Sequence, residues 1–414
     1  MQASSKALAL LGASFTNILF LMTGLVTADT LSLQESIKAG VPLHPTVLSA
    51  KGELKTAKGS VWQSLSPPSP VVRIQNEWVP KGSSISDYKE RTIGISQTLD
   101  FPLVTYFGVK SAHYSRQSAY SAYQVAIAQA TAEIKMVYLD VWLAQRKALI
   151  AESLHQAAER LARSAEIRFT VGEGTSIERD RLKAHAEQSN RSLQLAVLDL
   201  TLAKIQLGQL IGRKLDTSFQ VLDPGAIDST IPNTLETASS TFIIHGAESA
   251  LRSVRAQQNV ARLSWLPQIE LELFRQRDEL RGRFWGGAIG LSVPLWFTLG
   301  GTGNLQSAAG SVEQAEADLE RVKRKWNLDW VEATKSFELA KSRIRSLEQI
   351  GLPSSRRAYG ASIKAYEIGE LGVTDLLASF LEKQASELDY LEAQRELWWW
   401  RTRIDILRAT QNGR

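Results

Sequence analysis

The 414-residue chain has no cysteine, only 12 Pro, 5 His and 3 Met, and no strong excess of charge of either sign. Without cysteine there can be no disulfide scaffold, thiolate zinc site, iron–sulfur cluster, cysteine nucleophile or lipid-modified N-terminal cysteine. The five histidines, His44, His113, His155, His185 and His245, never fall closer than 30 residues to one another, so no His-x-x-x-His metal pair exists. A formal charge of +5, spread along the chain, is too weak and diffuse to read as a nucleic-acid surface. The usual catalytic signatures are also missing. There is no Gly-x-Ser-x-Gly elbow, P-loop or dinucleotide fingerprint, and Gly300-Gly301-Thr302-Gly303 falls at a strand-to-helix junction. The sequence therefore predicts no enzyme, cofactor or resident metal.

One long apolar run is present. Residues 1–28 combine Lys6, an apolar stretch from Ala7 to Val26, and the small residues Val26-Thr27-Ala28 before Asp29, which is the pattern of a cleaved secretory signal. A retained membrane anchor is the competing reading, but polar Asp29-Thr30 follows with no basic stop-transfer flank. No other stretch reaches 18 apolar residues, so any further membrane crossing has to be β-stranded.

An internal repeat organises the remainder. Arg168-Phe-Thr-Val-Gly-Glu-Gly-Thr175 recurs as Ala365-Tyr-Glu-Ile-Gly-Glu-Leu-Gly372, and Ile95-Ser-Gln-Thr-Leu-Asp-Phe101 recurs as Leu291-Ser-Val-Pro-Leu-Trp-Phe297. The offsets are 197 and 196, so the register is kept over more than 70 residues. We divide the chain into a signal (1–28) and two structural repeats (29–223 and 224–414). Each repeat should run helix, β-hairpin, very long helix, glycine turn, helix.

The long helices are expected over about Thr105–Phe169 and Leu305–Glu367. Apolar positions such as Ile127, Ile134, Val137, Val141, Ala148 and Leu154 recur there at three- and four-residue steps. Return helices are expected over Ser176–Ile211 and Asp375–Ala409, and two more over Leu31–Ser64 and Asn233–Ser264. Small residues along them favour coiled-coil-like packing. Trp398-Trp399-Trp400 sit on one return helix and point about 100° apart, so they cannot share one core; packing around a waist or a partner belt are the alternatives.

The hairpins show period-2 alternation. Val72, Ile74 and Trp78 alternate with Arg73, Gln75 and Glu77, followed after a Lys81–Glu90 loop by Ile93, Ile95 and Leu99. In the second repeat Ile269, Leu271 and Leu273 alternate with Gln268, Glu270 and Glu272. After an Arg275–Arg283 loop come Gly287, Ile289, Leu291 and Val293. Such segments, with Trp78, Phe274, Trp285, Trp296 and Phe297 near their ends, fit membrane β-barrel strands and also fit hairpins on a soluble core. Four strands cannot close a barrel, and open edges are not tolerated in lipid. A membrane role would require subunits sharing one barrel, and three copies would supply twelve strands.

These motifs resemble the TolC family of outer-membrane factors. The resemblance rests on Phe169-x-Val-Gly-x-Gly-Thr and its partner Tyr366-x-Ile-Gly-x-x-Gly, the opening Leu31-Ser-Leu-Gln-Glu-Ser-Ile, and Ser96-Gln-Thr-Leu. It implies a mainly α fold with a small membrane β part: a homotrimer with a twelve-stranded outer-membrane barrel above a periplasmic α-barrel. It implies an exit duct of a tripartite efflux pump, with a periplasmic adaptor, an inner-membrane RND or ABC transporter and outer-membrane lipid as partners. The absence of cysteine sets the chain apart from lipoprotein relatives, and its compact length looks most like the CzcC-like heavy-metal RND branch. A type I secretion channel and a soluble periplasmic coiled-coil scaffold are the alternatives. Carried over from the family, the adaptor-docking tip comprises Val171, Gly172, Thr175, Ile368, Gly369 and Gly372; the glycines could equally serve only to turn the chain. A periplasmic gate falls to Asp375 and Glu178, six positions after each glycine. The second gate acid of many relatives is replaced here by Ala378, and Arg181 stands at the matching place in the first repeat. An acid at a helix start also has a plainer reason, the helix dipole.

Overall fold

In the computed structural model the described residues are 30–213, 217–225, 241–294 and 297–409. The expected signal segment, Trp296 and the Asn233 end of one expected helix lie outside them.

The first repeat opens with a two-residue strand β1 (Thr30–Leu31), helix α1 (Leu33–Gly40) and helix α2 (Pro45–Leu65). Ser32 caps α1 in a capping box with Glu35. The single helix expected over Leu31–Ser64 is thus split. Pro42 tightens the chain into a 3₁₀ turn, Val41–Leu43, and Pro45 restarts it after the extended residue His44. Strands β2 (Val71–Glu77) and β3 (Glu90–Leu99) follow, and then α3 (Pro102–Thr170), 69 residues without interruption. Pro102 sits in its first turn, where a missing N–H is harmless. At 1.5 Å per residue α3 is a rod of about 100 Å. α4 (Ser176–Leu210) runs back along it to β4 (Gln220–Val221).

The second repeat has the same order: α5 (Phe242–Arg262), β5 (Gln268–Asp278), β6 (Gly282–Ser292), α6 (Phe297–Ser346), α7 (Leu352–Glu367) and α8 (Val373–Leu407). Between α6 and α7 the rod continues through a π turn, Leu347–Gly351. Pro353 cannot donate into the helix ladder, and the extra residue of the π turn lets the rod pass it without ending.

The interior of the helical part is thin because its elements are rods. Six of the buried positions on α3 are alanines (126, 130, 132, 144, 158 and 165), which allow close approach of neighbouring helices. Three clusters hold the rods together. One joins Tyr138, Val141 and Trp142 of α3 to Leu31, Leu207, Phe219, Val221 and Leu391. Here β1 and β4 pair in parallel, and the Tyr138 hydroxyl is 2.9 Å from the Leu31 carbonyl and 2.8 Å from that of Leu222. This small tie between repeat ends had no visible sequence signal. A second cluster gathers Trp326, Trp330, Phe337, Ile404 and Leu407, with Trp400 packed on its edge. Trp399 stays exposed and meets Trp400 edge to face at 4.3 Å. The third cluster lies at the far tip.

At the opposite end the four long strands form one antiparallel sheet in the order β2-β3-β5-β6. β5 runs to Asp278 and β6 begins at Gly282, so the connection is far tighter than the expected Arg275–Arg283 loop. Asp278 makes it compact: its carboxylate accepts from the N–H groups of Leu280 and Arg281 at 2.7 and 3.1 Å. Strand register brings residues of one face together in rungs. Val72, Ile95, Leu273 and Gly287 line up across the sheet, as do Gln75, Thr92, Gln276 and Phe284 one face over. Leu273 and Ile289 on the apolar face are 58% and 79% exposed, so nothing among the described residues covers it. On the polar face Phe274 lies over Gly286, where a Cβ would come within 2.3 Å of its ring.

Candidate functional site

The tip of the helical rods is where the two halves of the repeated motif meet. α3 ends at Thr170 and the chain reverses through Val171-Gly172-Glu173-Gly174 before Thr175 caps α4, accepting from the Glu178 N–H at 3.2 Å. α7 ends at Glu367 and reverses through Ile368-Gly369-Glu370-Leu371 into α8, whose N-cap, Gly372, has no side chain to cap it. The two reversals share a hydrogen-bond pattern. The Gly172 N–H reaches the Phe169 carbonyl and the Glu173 N–H that of Arg168; the Gly369 N–H reaches Tyr366 and the Glu370 N–H reaches Ala365. These are Schellman-type helix ends with glycine in the left-handed position, φ +79° at Gly172 and +81° at Gly369. At both glycines a Cβ would meet nothing within 4 Å. The backbone is bare there, flanked by apolar Val171 and Ile368, which are 63% and 69% exposed.

The six expected tip residues are therefore brought to one end of the molecule, three on each reversal. The two hairpins are fastened by the third cluster: Ala165, Leu182, Tyr366 and Leu376 are buried together, with Tyr359 and Ile363 against them.

The two expected gate acids occupy equivalent positions in different surroundings. Glu178 accepts a hydrogen bond from the Tyr366 hydroxyl and pairs with Arg168 at 3.4 Å, and its side chain is only 17% exposed. The Arg168 guanidinium lies 5.4 Å from the centre of the Tyr366 ring. Burial, and then the Glu178 carboxylate, push the Tyr366 phenol up to about 12, because ionising it would place a second negative charge beside the first. Asp375 stands exposed in the first turn of α8 with no ion pair among the described residues. Arg181, one turn after Glu178, donates to the Thr374 hydroxyl at 3.1 Å and links the starts of α4 and α8. Arg179 turns away, stacked 4.3 Å from the Phe169 ring and paired with Asp180 at 2.8 Å. Sequence reasoning did not find Arg168 and Tyr366 as partners of Glu178. Both lie within the repeated motif, but their meeting depends on how two distant hairpins pack.

Among the described residues no group of three His, Asp or Glu side chains is arranged to hold a metal ion. No described helix is long and apolar enough to cross a membrane.

The model of the family described as outer membrane efflux protein matches residues 240–398, from α5 through most of α8. The chain resembles the outer membrane efflux proteins in sequence and in fold. The fold extends over both repeats. The outer membrane protein VceC of Vibrio cholerae superposes with a TM-score of 0.76 at 16% identity, covering 91% of this chain and 96% of that one. The CmeC outer membrane channel of Campylobacter jejuni gives 0.77 at 15% identity, over 92% and 87%. The MtrE outer membrane channel of Neisseria gonorrhoeae, in an open state, gives 0.77 at 18%, over 91% and 88%. No curated protein matches the chain in sequence. Long helical rods with a four-stranded sheet at one end are the elements expected of a mainly α fold with a small β part.

Proposed function

We propose that the chain is the exit duct of a tripartite efflux pump, a homotrimer whose sheets join into a twelve-stranded barrel in the outer membrane. The observation that carries this reading is the state of the sheet. Among the described residues β2 and β6 are its edges, each paired on one side only, and its apolar face is uncovered. Exposed edges and an apolar face of this size are liabilities in water, and joining edge to edge with two further copies removes both in lipid. The same uncovered face weighs against a soluble periplasmic scaffold. The rods would then extend into the periplasm as an α-barrel, entered from the tip.

In this reading an adaptor's helical hairpins dock on Val171, Gly172 and Thr175 and on Ile368, Gly369 and Gly372, because bare backbone flanked by an exposed apolar side chain admits a close helix approach. Asp375, exposed and unpaired, supplies a ring of three carboxylates at the entrance. Glu178 serves as the tether between hairpins. Cargo passes without a binding site in the wall, and the cargo class is metal ions or small toxic compounds delivered by the inner-membrane pump.

The test is the mass and conductance of the detergent-purified protein. A trimer that forms ion-conducting pores in planar bilayers, and whose deletion sensitises the cell to metals, dyes or antibiotics, is the expected result. A monomer soluble without detergent would overturn the reading. Loss of a secreted protein without altered sensitivity would point to a secretion channel instead.

A further inference from the structure

The loop end of the sheet, away from the helices, carries a feature that duct function does not use. Arg91 of β3, Arg277 of β5 and Arg283 of β6 are direct neighbours in one rung. The next rung toward the helices places Arg275 beside Trp285, with the guanidinium 5.8 Å from the indole ring. All four arginines are on the apolar face, since the rungs below are Val72, Ile95 and Leu273, then Leu271 and Ile289. The sheet's carboxylates, Glu77, Glu90, Glu270, Glu272 and Asp278, alternate onto the opposite face. Asp278 is committed to its own turn.

Like charges directly opposite one another on neighbouring strands repel, and strands lie only about 4.8 Å apart. Among the described residues no carboxylate pairs with any of the four arginines, and the Nε of Arg91 is buried without a hydrogen-bond partner, its Nη1 alone donating to the Tyr88 hydroxyl. The positive field is felt nearby. The phenol of Tyr88, in the adjoining loop, is held below its ordinary range, first by the hydrogen bond from Arg91 and then by the charges of Arg91 and Arg277. A basic rung at the upper border of an apolar band, next to a tryptophan, fits the level of lipid headgroups. Arginine is the side chain suited to bidentate phosphate contact.

We propose that Arg91, Arg277 and Arg283, with Arg275 beneath them, form a docking surface for the phosphate groups of an outer-leaflet glycolipid. The inference rests on the membrane reading above, which puts the helices in the periplasm and so turns the loop end outward. A trimer carries three such surfaces around its rim.

The test uses the purified full-length trimer in detergent, with bisphosphorylated lipid A and chemically dephosphorylated lipid A as probes, followed by native mass spectrometry. The wild type should hold the bisphosphorylated form at least tenfold more tightly, and millimolar inorganic phosphate should not displace it. A variant with Arg91→Gln, Arg277→Gln and Arg283→Gln should lose that preference while keeping its trimer mass and pore conductance. The corresponding triple Lys variant should recover most of it and serves as a control for folding. Equal binding of both lipid forms, or a Gln variant that is trimeric and binds like wild type, would overturn the inference alone. Displacement by inorganic phosphate would overturn it in favour of a free-anion site. A soluble monomer that holds neither lipid would overturn both readings.

Discussion

At the first tip reversal the acid six residues beyond the turning glycine, Glu178, is drawn inward to Tyr366 and Arg168; at the second, the equivalent Asp375 points into solvent. The surrounding backbones are near copies, with the same Schellman-type bonds and nearly equal glycine φ angles. What differs is the residue each acid meets. Arg168 and Tyr366 occupy adjacent motif positions, being matched to Ala365 and Phe169 in the other repeat, so the duplication has been edited on facing hairpins. One acid has become a fastener within the protomer, and the other is left free for a partner, an ion or a neighbouring subunit. Equivalent positions in a repeat therefore do not carry equivalent roles.

The largest expected effect comes from the feature the two tips share. Gly172→Leu or Gly369→Leu forces a branched side chain into the left-handed region, at about 1–2 kcal/mol, and fills the bare surface. Export, read as resistance to the cargo, should be lost while the trimer remains in the membrane. Gly172→Asn tests the alternative that the glycine only turns the chain, because asparagine tolerates that conformation. Asn export at the wild-type level would leave the turn role and remove the docking role.

Tyr366→Phe comes next. It removes one hydrogen bond to a carboxylate and should lower stability by about 1–2 kcal/mol, seen as a lower thermal midpoint, with Asp375→Asn as the comparison. The same phenol gives a pH dependence. Its folded value, raised to about 12, lies above the ordinary value of 10, so its contribution is intact below pH 10 and is lost as pH climbs toward 12. Tyr138 and Tyr390 are likewise raised to about 12, both mainly by burial, and act in the same direction. Denaturation midpoints should fall through that window, less steeply in Tyr366→Phe. An unchanged slope would mean that the other two phenols carry the effect.

The smallest expected effect on stability belongs to Asp375→Asn, within about 0.5 kcal/mol, as for an exposed side chain. Its readout is ionic: the variant pore should be less cation-selective than the wild type, whereas Glu178→Gln should alter stability more than selectivity. If Glu178→Gln changes selectivity and Asp375→Asn does not, the division of roles between the tips is reversed.

Much of the architecture could be read from residues alone because rods and hairpins are local. Three- and four-residue apolar spacing and the repeated Val-Gly and Ile-Gly turns place the α3 rod, both return helices and both reversals to within a few residues. The departures also have local causes. Pro42 and Pro45 divide the first helix, Asp278 caps a shorter hairpin, and Pro353 is absorbed by a π turn. The tip residues were legible as a motif, but the Glu178 contact to Tyr366 spans 188 residues. The β1–β4 pair, only two residues per strand, offered no periodicity to detect.

The sequence by itself determined the duplication, the order of elements in each half and the alternation that makes four strands apolar on one face, since each follows from spacing along a short stretch of chain. Only the tertiary structure decided which of two matched acids is fastened, how the arginines of three strands come to share one rung, and that the sheet keeps two free edges. Those outcomes depend on strand register and helix packing between segments far apart in the chain, where a shift of one residue would turn every side chain to the other face.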